Sequence, residues 1–247
     1  MKKWYIQFIR LLSTSKKGFM YNYYRRLLGK YYTQDSFKAF NEILWKDGFL
    51  SASNKDVCDP TNTDSDYNQG VTFYEVYEKA MKPFFNNFSC ILEIGPGRGY
   101  FTKGLLPAKE IWCLDAKSLK NNDIFKYLNH PKNVKYIEAS DFNCKDLPDN
   151  YFDFIFSYGT FVHIPWDGIT QYIKNLYSKA KPGAKGIISI SDDIKAPENI
   201  NNKEWYPGCF IPNNSKKMTE LLISCGWKVI DENFLKCQRD TIVFFEK

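Results

Sequence analysis

The sequence is poor in metal-binding side chains and has no long apolar run. Its 247 residues include two histidines and seven cysteines, and no two cysteines form a Cys-x-x-Cys pair. A zinc site of ordinary spacing therefore has no ligand set, and we expect no metal. No eighteen apolar residues follow one another, so no helix that spans a bilayer is predicted. These features are typical of a reduced, cytoplasmic protein.

Acidic residues are missing from the beginning of the sequence, so the net charge of +6 is unevenly distributed. Residues 1–34 contain eight Lys or Arg and no Asp or Glu, which leaves 26 basic and 28 acidic residues in the remainder. A nearly neutral body lacks the basic groove that follows the phosphates of a nucleic acid. We therefore expect no nucleic-acid partner.

Residues 1–34 have the apolar spacing of two short amphipathic helices, and Trp4, Phe8 and Leu12 share one face of the first. Gln7 and Arg10 interrupt the apolar stretch that a secretory signal peptide requires. Two kinds of partner suit such helices. Their apolar faces can cover the main domain or a sister subunit in a homo-oligomer, or the basic, aromatic-rich helices can attach to the inner face of an anionic membrane.

A polar loop separates this region from the rest of the chain. A third helix is predicted over residues 36–45, and residues 51–70 are rich in Asn, Asp, Ser and Thr. The loop is long for a compact domain and is a candidate lid. Helical spacing returns over residues 72–85. We therefore divide the chain into an N-terminal helical extension with its linker, residues 1–70, and a second domain, residues 71–247.

The strongest motif follows an apolar segment at residues 91–94, which we predict to be a strand. Three glycines stand at alternate positions after it: Gly95, Gly97 and Gly99. They allow a sharp turn and a close approach of a ligand to the backbone, and a helix is expected to begin near Arg98. Glu93 places a carboxylate beside this turn. A negative charge there disfavours a bound pyrophosphate and suits a cationic or amine-bearing ligand.

Further apolar segments predict the other strands of an α/β fold, at residues 111–114, 134–137, 152–156, 187–190, 227–230 and 241–245. Polar residues follow several of them. Asp115 ends the second strand, where a carboxylate can accept hydrogen bonds from a ribose diol. Residues 181–186, with the sequence Lys-Pro-Gly-Ala-Lys-Gly, are predicted to form a turn before the fifth strand.

The order of these motifs resembles the class I S-adenosylmethionine-dependent methyltransferases over residues 72–247. The resemblance rests on the glycine motif with Glu93, on Asp115, on the pair Asp141-Phe142 and on the Lys-Pro-Gly turn. It implies a doubly wound, Rossmann-like α/β fold with a seven-stranded, mostly parallel sheet. The last strand would run antiparallel and lie between its neighbours as a hairpin with residues 227–230.

The resemblance also implies the cofactor, S-adenosylmethionine, and its product S-adenosylhomocysteine. The three glycines would lie beneath the methionine part and Glu93 would help to position it. Asp115, with the adjacent Ala116, would hold the ribose, Asp141 the adenine amino group, and Phe142 an adenine face. Ser157 and Tyr158 would line the mouth next to the transferable methyl group. For each carboxylate, an ordinary strand end or helix cap is the alternative.

Two other cofactor or substrate classes fit the motifs less well. A nicotinamide dinucleotide fold requires a glycine at the position of Tyr100. Methyltransferases that act on exocyclic amines of nucleic acids carry an Asn/Asp-Pro-Pro-Tyr segment after the fourth strand. This chain has Ser157-Tyr-Gly-Thr there. Another class of function, a catalytically inactive cofactor-binding assembly subunit, is disfavoured because the glycines and carboxylates are intact.

The acceptor is expected to be an oxygen, of hydroxyl or phosphate type, on a small molecule or a glycan precursor. His163 follows the fourth strand and is a candidate general base, although a histidine that caps the next helix is the alternative. Four residues are candidates for binding the acceptor: Tyr100, Asp192, Trp205 and Tyr206. The composition resembles small bacterial O-methyltransferases of surface-polysaccharide or capsule biosynthesis, which is an analogy at the level of fold.

Overall fold

The computed structural model describes residues 55–65, 70–195, 211 and 213–247. The predicted helices within residues 1–45, and with them the proposed membrane or subunit contact, lie outside the described residues. Trp205 and Tyr206 also lie outside them. Within the described part, no helix is long and apolar enough to cross a membrane, no group of His, Cys, Asp and Glu could hold a metal ion, and the six described cysteines are free thiols.

The described residues form one seven-stranded sheet with helices packed on it. The strands are β1 (Cys90–Ile94), β2 (Glu110–Asp115), β3 (Val134–Glu138), β4 (Phe152–Ser157), β5 (Ala180–Ser191), β6 (Lys228–Phe234) and β7 (Asp240–Glu246). The α-helices are α1 (Phe73–Ala80), α2 (Thr102–Leu105), α3 (Ile124–Tyr127), α4 (Trp166–Lys179) and α5 (Ser215–Ser224). The strand order is β3-β2-β1-β4-β5-β7-β6, which confirms the predicted fold.

The central strand β1 is buried over its whole length. It pairs in parallel with β2 on one side and with β4 on the other. Its side chains alternate between the two cores: Leu92 and Ile94 belong to one, and Ile91 to the other. A parallel strand covered on both faces is apolar at successive positions, which is why the unbroken run at residues 91–94 predicted it.

The hairpin of β6 and β7 closes the sheet as expected. β7 lies between β5 and β6 and is antiparallel to both. The structure extends both predicted strands, because β6 continues to Phe234 and β7 reaches Glu246. The antiparallel position of the last strand is therefore confirmed.

The predicted helix over residues 72–85 is present but shorter. Thr72 caps α1: its hydroxyl accepts from the Glu75 N–H at 3.1 Å, and the Glu75 carboxylate accepts from the Thr72 N–H at 3.0 Å. This reciprocal capping box fixes the start of the helix. The helix ends at Ala80, and a 3-10 turn with Pro83 in its first turn follows at Lys82–Phe84.

Two local predictions were wrong. The helix after the glycine motif begins at Thr102 and not near Arg98, because Gly97 and Gly99 have φ angles of +56° and +93° that no right-handed helix accepts. Residues 181–186 are not a separate turn before β5. They belong to that strand, in which the register jumps from Phe152↔Ala180 to Phe154↔Lys185 and leaves a bulge.

Candidate active site

Residues 95–99, the glycine loop, leave β1 at the carboxyl edge of the sheet. The residue after the strand, Gly95, has a φ of +72° and donates its N–H to the Leu114 carbonyl at 2.8 Å. A Cβ atom at this position would lie 2.0 Å from Oγ1 of Thr160, so only glycine fits. The middle glycine differs, since a Cβ at Gly97 would meet no atom within 4 Å. The loop is therefore packed at its start and open in its middle, where a ligand can approach the backbone.

Asp115 joins the glycine loop to the loop after β2. Its Oδ2 accepts from the Gly97 N–H at 3.2 Å, and its Oδ1 accepts from the Lys117 N–H at 2.8 Å. Burial raises the pKa of Asp115 to about 6, although the two backbone hydrogen bonds oppose this shift. The residue as a whole is partly exposed, and each oxygen of its carboxylate has a second lone pair that can accept a further hydrogen bond. The next residue, Ala116, is buried.

Glu93 lies on β1 below the loop and is 3% exposed. Its Oε2 accepts from the Thr102 hydroxyl at 2.6 Å, and thereby ties the first residue of α2 to the strand. Burial raises the pKa of Glu93 to about 7, and the charge of Asp115 adds to the effect, while the bond from Thr102 opposes it. Two carboxylates with raised pKa values thus flank the glycine loop, a pattern that is common at functional sites.

The loop after β3 carries Asp141 at a shallow cleft. The cleft is lined by Leu114, Ala139, Ser140, Asp141, Asn143, Cys144, Lys145 and Asp146. Asp141 accepts from the side-chain amide of Asn143 at 2.6 Å and from its N–H at 3.0 Å. The carboxylate is therefore at the cleft but is engaged within its own turn.

The prediction for the neighbouring Phe142 was wrong. Its ring is fully buried and packs edge-on against Tyr172 with 5.1 Å between ring centroids. It also fills the space beside Gly168, where a Cβ would come within 2.7 Å of the ring. A ring held in the core has no face to offer an adenine.

The segment after β4 is bound to the glycine loop by side chains. Ser157 is buried and donates its hydroxyl to the Ile94 carbonyl at 2.8 Å. Thr160 donates to the Gly95 carbonyl at 3.2 Å. The Tyr158 ring packs against Phe101, with 5.1 Å between centroids. These contacts place residues 157–160 directly beside the loop.

His163 ends the 3-10 turn Phe161–His163, which follows this segment, and it is half-buried. The next helix, α4, has Pro165 as its N-cap and no side-chain cap hydrogen bond. The N-cap residue of this helix is therefore Pro165 and not His163. It follows by three residues Thr160, which donates to the Gly95 carbonyl.

Tyr100 is not placed to bind an acceptor. It is 2% exposed, its ring lies 5.3 Å from that of Phe73, and its hydroxyl accepts from the side chain of Asn62 at 2.6 Å. Asn62 belongs to the described part of the predicted lid loop, and Val57 in the same stretch is fully buried. This stretch packs on the residues that follow the glycine loop, and Tyr100 is part of that contact.

Asp192 is likewise a structural residue. It is 1% exposed, its Oδ2 accepts from the Thr241 hydroxyl at 2.6 Å, and its Oδ1 accepts from the Ser215 N–H at 3.2 Å. It thus joins the end of β5 to β7 and to the first residue of α5. The alternative that it ends the strand is the correct one.

Asp192→Ala is expected to lower the free energy of unfolding by about 2–3 kcal/mol, because it removes a buried acceptor and leaves its donors without a partner. Asp193→Ala is the control, because Asp193 is exposed and should change stability by less than about 0.5 kcal/mol. Urea denaturation of both variants measures the difference. Equal midpoints would contradict the structural role.

Four further residues at this site were not indicated by any pattern in the sequence: Thr160, Thr102, Asn122 and Tyr136. Each reaches the glycine loop or its supports through residues distant in the chain. Only the position of Thr160 after a strand end could have drawn attention to it.

The seven-stranded sheet with the strand order β3-β2-β1-β4-β5-β7-β6 is the fold of the class I methyltransferases. In agreement, residues 91–183 match the family model described as "Methyltransferase domain". No curated protein matches the chain significantly.

Solved structures share the fold at low sequence identity. A SAM-dependent methyltransferase from Aquifex aeolicus is 20% identical, with 70% of this chain and 92% of that chain covered and a TM-score of 0.53. Another from Mesorhizobium loti is 15% identical, with 68% and 96% covered and a TM-score of 0.54. A structure named as the [4+2]-cyclase SpnF is 16% identical, with 65% and 60% covered and a TM-score of 0.53.

Residues 91–183 are therefore similar to a methyltransferase domain, and the solved structures share the fold of the described residues. Because one of these structures is named as a cyclase, the fold by itself does not determine the reaction.

Proposed function

We propose that this chain transfers the methyl group of S-adenosylmethionine to an oxygen atom, of hydroxyl or phosphate type, on a small molecule or a glycan precursor. The observation that carries the cofactor assignment is the open backbone at Gly97, whose N–H donates to the carboxylate of Asp115. The glycine leaves room for a ligand against the backbone, and the carboxylate can accept hydrogen bonds from ribose hydroxyls.

The charge of the site also fits this cofactor. Glu93 and Asp115 are both carboxylates close to the loop, and a sulfonium cation gains from negative charge, whereas a pyrophosphate loses. S-adenosylmethionine brings an activated methyl group on sulfur, which reacts by in-line displacement. The chain's own task is therefore to hold the acceptor in line and to exclude water.

A hydroxyl acceptor must also lose its proton as the new carbon–oxygen bond forms and the carbon–sulfur bond breaks. His163 supports an oxygen acceptor, because it is half-buried near the segment that Thr160 binds to the glycine loop. Imidazole titrates near neutral pH and can accept this proton. A role in glycan biosynthesis is an analogy at the level of fold and names a first set of acceptors to test.

His163→Ala is expected to leave the affinity for S-adenosylmethionine unchanged and to lower turnover about a hundredfold, the usual contribution of one general base. His130→Asn is the matched control, because His130 is exposed in a loop and has a φ of +52° that asparagine tolerates. Turnover is followed by transfer of a labelled methyl group. Equal turnover in both variants would remove His163 from the mechanism.

Titration calorimetry with S-adenosylmethionine and S-adenosylhomocysteine tests the proposed function. Binding of both, followed by methylation of hydroxyl or phosphate oxygens in an acceptor panel, is the expected result. Absence of binding would overturn the cofactor assignment. Methylation of amines alone would make the protein an N-methyltransferase, and binding without turnover on any acceptor would favour an assembly subunit.

A further inference from the structure

We propose that Asn122 and Tyr136 are positioning residues, which hold the glycine loop in the shape that receives the cofactor. The inference rests on the proposed function for the identity of the ligand, but its structural basis does not. Neither residue belongs to the glycine motif: Asn122 precedes α3, and Tyr136 lies on β3. They act on the ligand through Gly97 and Asp115.

The peptide groups of Gly97 are held from two sides. Its N–H donates to Oδ2 of Asp115 at 3.2 Å, and its carbonyl accepts from Nδ2 of Asn122 at 2.8 Å. This is the glycine with a φ of +56° and open space where a Cβ would stand. A glycine with a free surface has many accessible conformations, so its orientation depends on these two hydrogen bonds.

Asn122 is itself fixed. It is 8% exposed, and its Oδ1 accepts from the Ile124 N–H at 3.0 Å at the start of α3. Its Nδ2 also donates to the hydroxyl of Tyr136 on β3 at 3.0 Å. The amide group therefore cannot rotate without losing several hydrogen bonds at once.

Tyr136 closes the network. Its hydroxyl donates to the Lys117 carbonyl at 2.8 Å, while the Lys117 N–H donates to Oδ1 of Asp115. Hydrogen bonds thus run in a ring from Asp115 through Gly97, Asn122, Tyr136 and Lys117 back to Asp115. The ring fixes the glycine loop and the loop after β2 relative to each other, and these two loops are the sides of the cofactor site.

The effect of breaking the ring follows from the small number of contacts at Gly97. Without the donor on its carbonyl, Gly97 keeps only the hydrogen bond of its N–H to Asp115, so the loop is free to move. Tyr136→Phe removes one hydroxyl and keeps the aromatic side chain, so it is the mildest way to break the hydrogen-bond ring. Asn122→Ala removes the contact to Gly97 itself.

Asn133→Ala provides a matched control. Asn133 also bridges two backbone carbonyls with its amide, those of Leu106 at 3.0 Å and Ala108 at 2.8 Å. It precedes β3, at the amino edge of the sheet and opposite the glycine loop. Its loss should cost comparable stability and leave the loop unchanged.

The experiment combines two measurements on the full chain. Hydrogen exchange resolved at the Gly97 amide is recorded without cofactor, and the Kd for S-adenosylmethionine is measured by calorimetry. Urea denaturation verifies that each variant is folded. We expect exchange at Gly97 to be about tenfold faster and Kd about tenfold higher in Asn122→Ala. Tyr136→Phe should show about a threefold change in both, and Asn133→Ala should match the wild type.

Unchanged exchange and unchanged Kd in a folded Asn122→Ala protein would overturn the proposal, as would equal changes in Asn133→Ala. A wild-type protein that binds no S-adenosylmethionine would instead overturn the proposed function. In that case exchange at Gly97 alone decides whether Asn122 and Tyr136 hold the loop.

Discussion

Glu93→Gln is expected to make the cofactor-free protein more stable at pH 8. The carboxylate is 3% exposed, and burial raises its pKa to about 7, so at pH 8 the fold holds a charge where burial disfavours it. The shift from an unfolded value near 4.5 corresponds to roughly 3 kcal/mol. Glutamine keeps the shape of the side chain, and its oxygen can still accept the bond from Thr102.

The gain should depend on pH. Because the folded pKa lies above the unfolded one, the contribution of Glu93 to stability is fully present below about pH 4.5 and is lost as pH rises through about 7. The difference between variant and wild type should therefore grow from pH 5 to pH 8 in urea denaturation. The control is Glu138→Gln, the same substitution at an exposed position at the end of β3. A Glu93→Gln protein that is no more stable at pH 8 would refute the expectation.

The same substitution should weaken the binding of a cationic ligand. S-adenosylmethionine carries a positive sulfonium and S-adenosylhomocysteine does not, so loss of the nearby negative charge should affect the former more. We expect the ratio of the two Kd values to change about fivefold to tenfold at pH 8. The charged Glu93 would then lower the stability of the fold and strengthen the binding of a cationic ligand, a combination that is common at active sites.

Gly97→Ala is expected to weaken binding of S-adenosylmethionine about a hundredfold while the protein stays folded. Its Cβ would meet no protein atom within 4 Å, so the cost to folding is the left-handed backbone alone, about 1 kcal/mol. The methyl group would occupy the space that the ligand needs. Calorimetry and urea denaturation measure the two effects separately.

Gly183→Ala is the matched control for this prediction. Gly183 has a φ of +80° and also has no atom within 4 Å of a built Cβ, but it lies in the bulge of β5. Both variants should lose similar stability, and only Gly97→Ala should lose affinity. Similar affinities in the two variants would show that no ligand lies against Gly97.

The strands were predictable because the sheet is mostly parallel and covered on both faces. β1, β2 and β4 are apolar runs that end within one or two residues of the predicted limits. The place of β7 between β5 and β6 followed from the resemblance to a family and not from the pattern of its residues. The length of β5 was missed because Gly183 and Pro182 resemble a turn, while the structure uses them in a bulge.

The site was predictable where a residue's position along a strand decides its role. Gly95 directly follows β1, Gly97 lies two residues further on, and Asp115 is the last residue of β2; these two parallel strands have their carboxyl ends at the same edge of the sheet. The errors concern the direction of side chains, which depends on distant partners. The ring of Phe142 packs against Tyr172 in the core, and the carboxylate of Asp192 accepts a hydrogen bond from the Thr241 hydroxyl. No local pattern in the sequence reports such contacts.

The position of β7 also sets an order for synthesis and folding. Strands β1 to β4, which carry the glycine loop and Asp115, all leave the ribosome before β5 is complete. β6 is synthesised next, but it does not pair with the free edge of β5, because its only neighbour in the described sheet is β7. Until residues 240–246 arrive, both β5 and β6 expose unpaired backbone groups, the kind of edge that recruits other chains. A nascent chain stalled before Arg239 would thus carry two strands with unpaired backbone groups, β5 and β6.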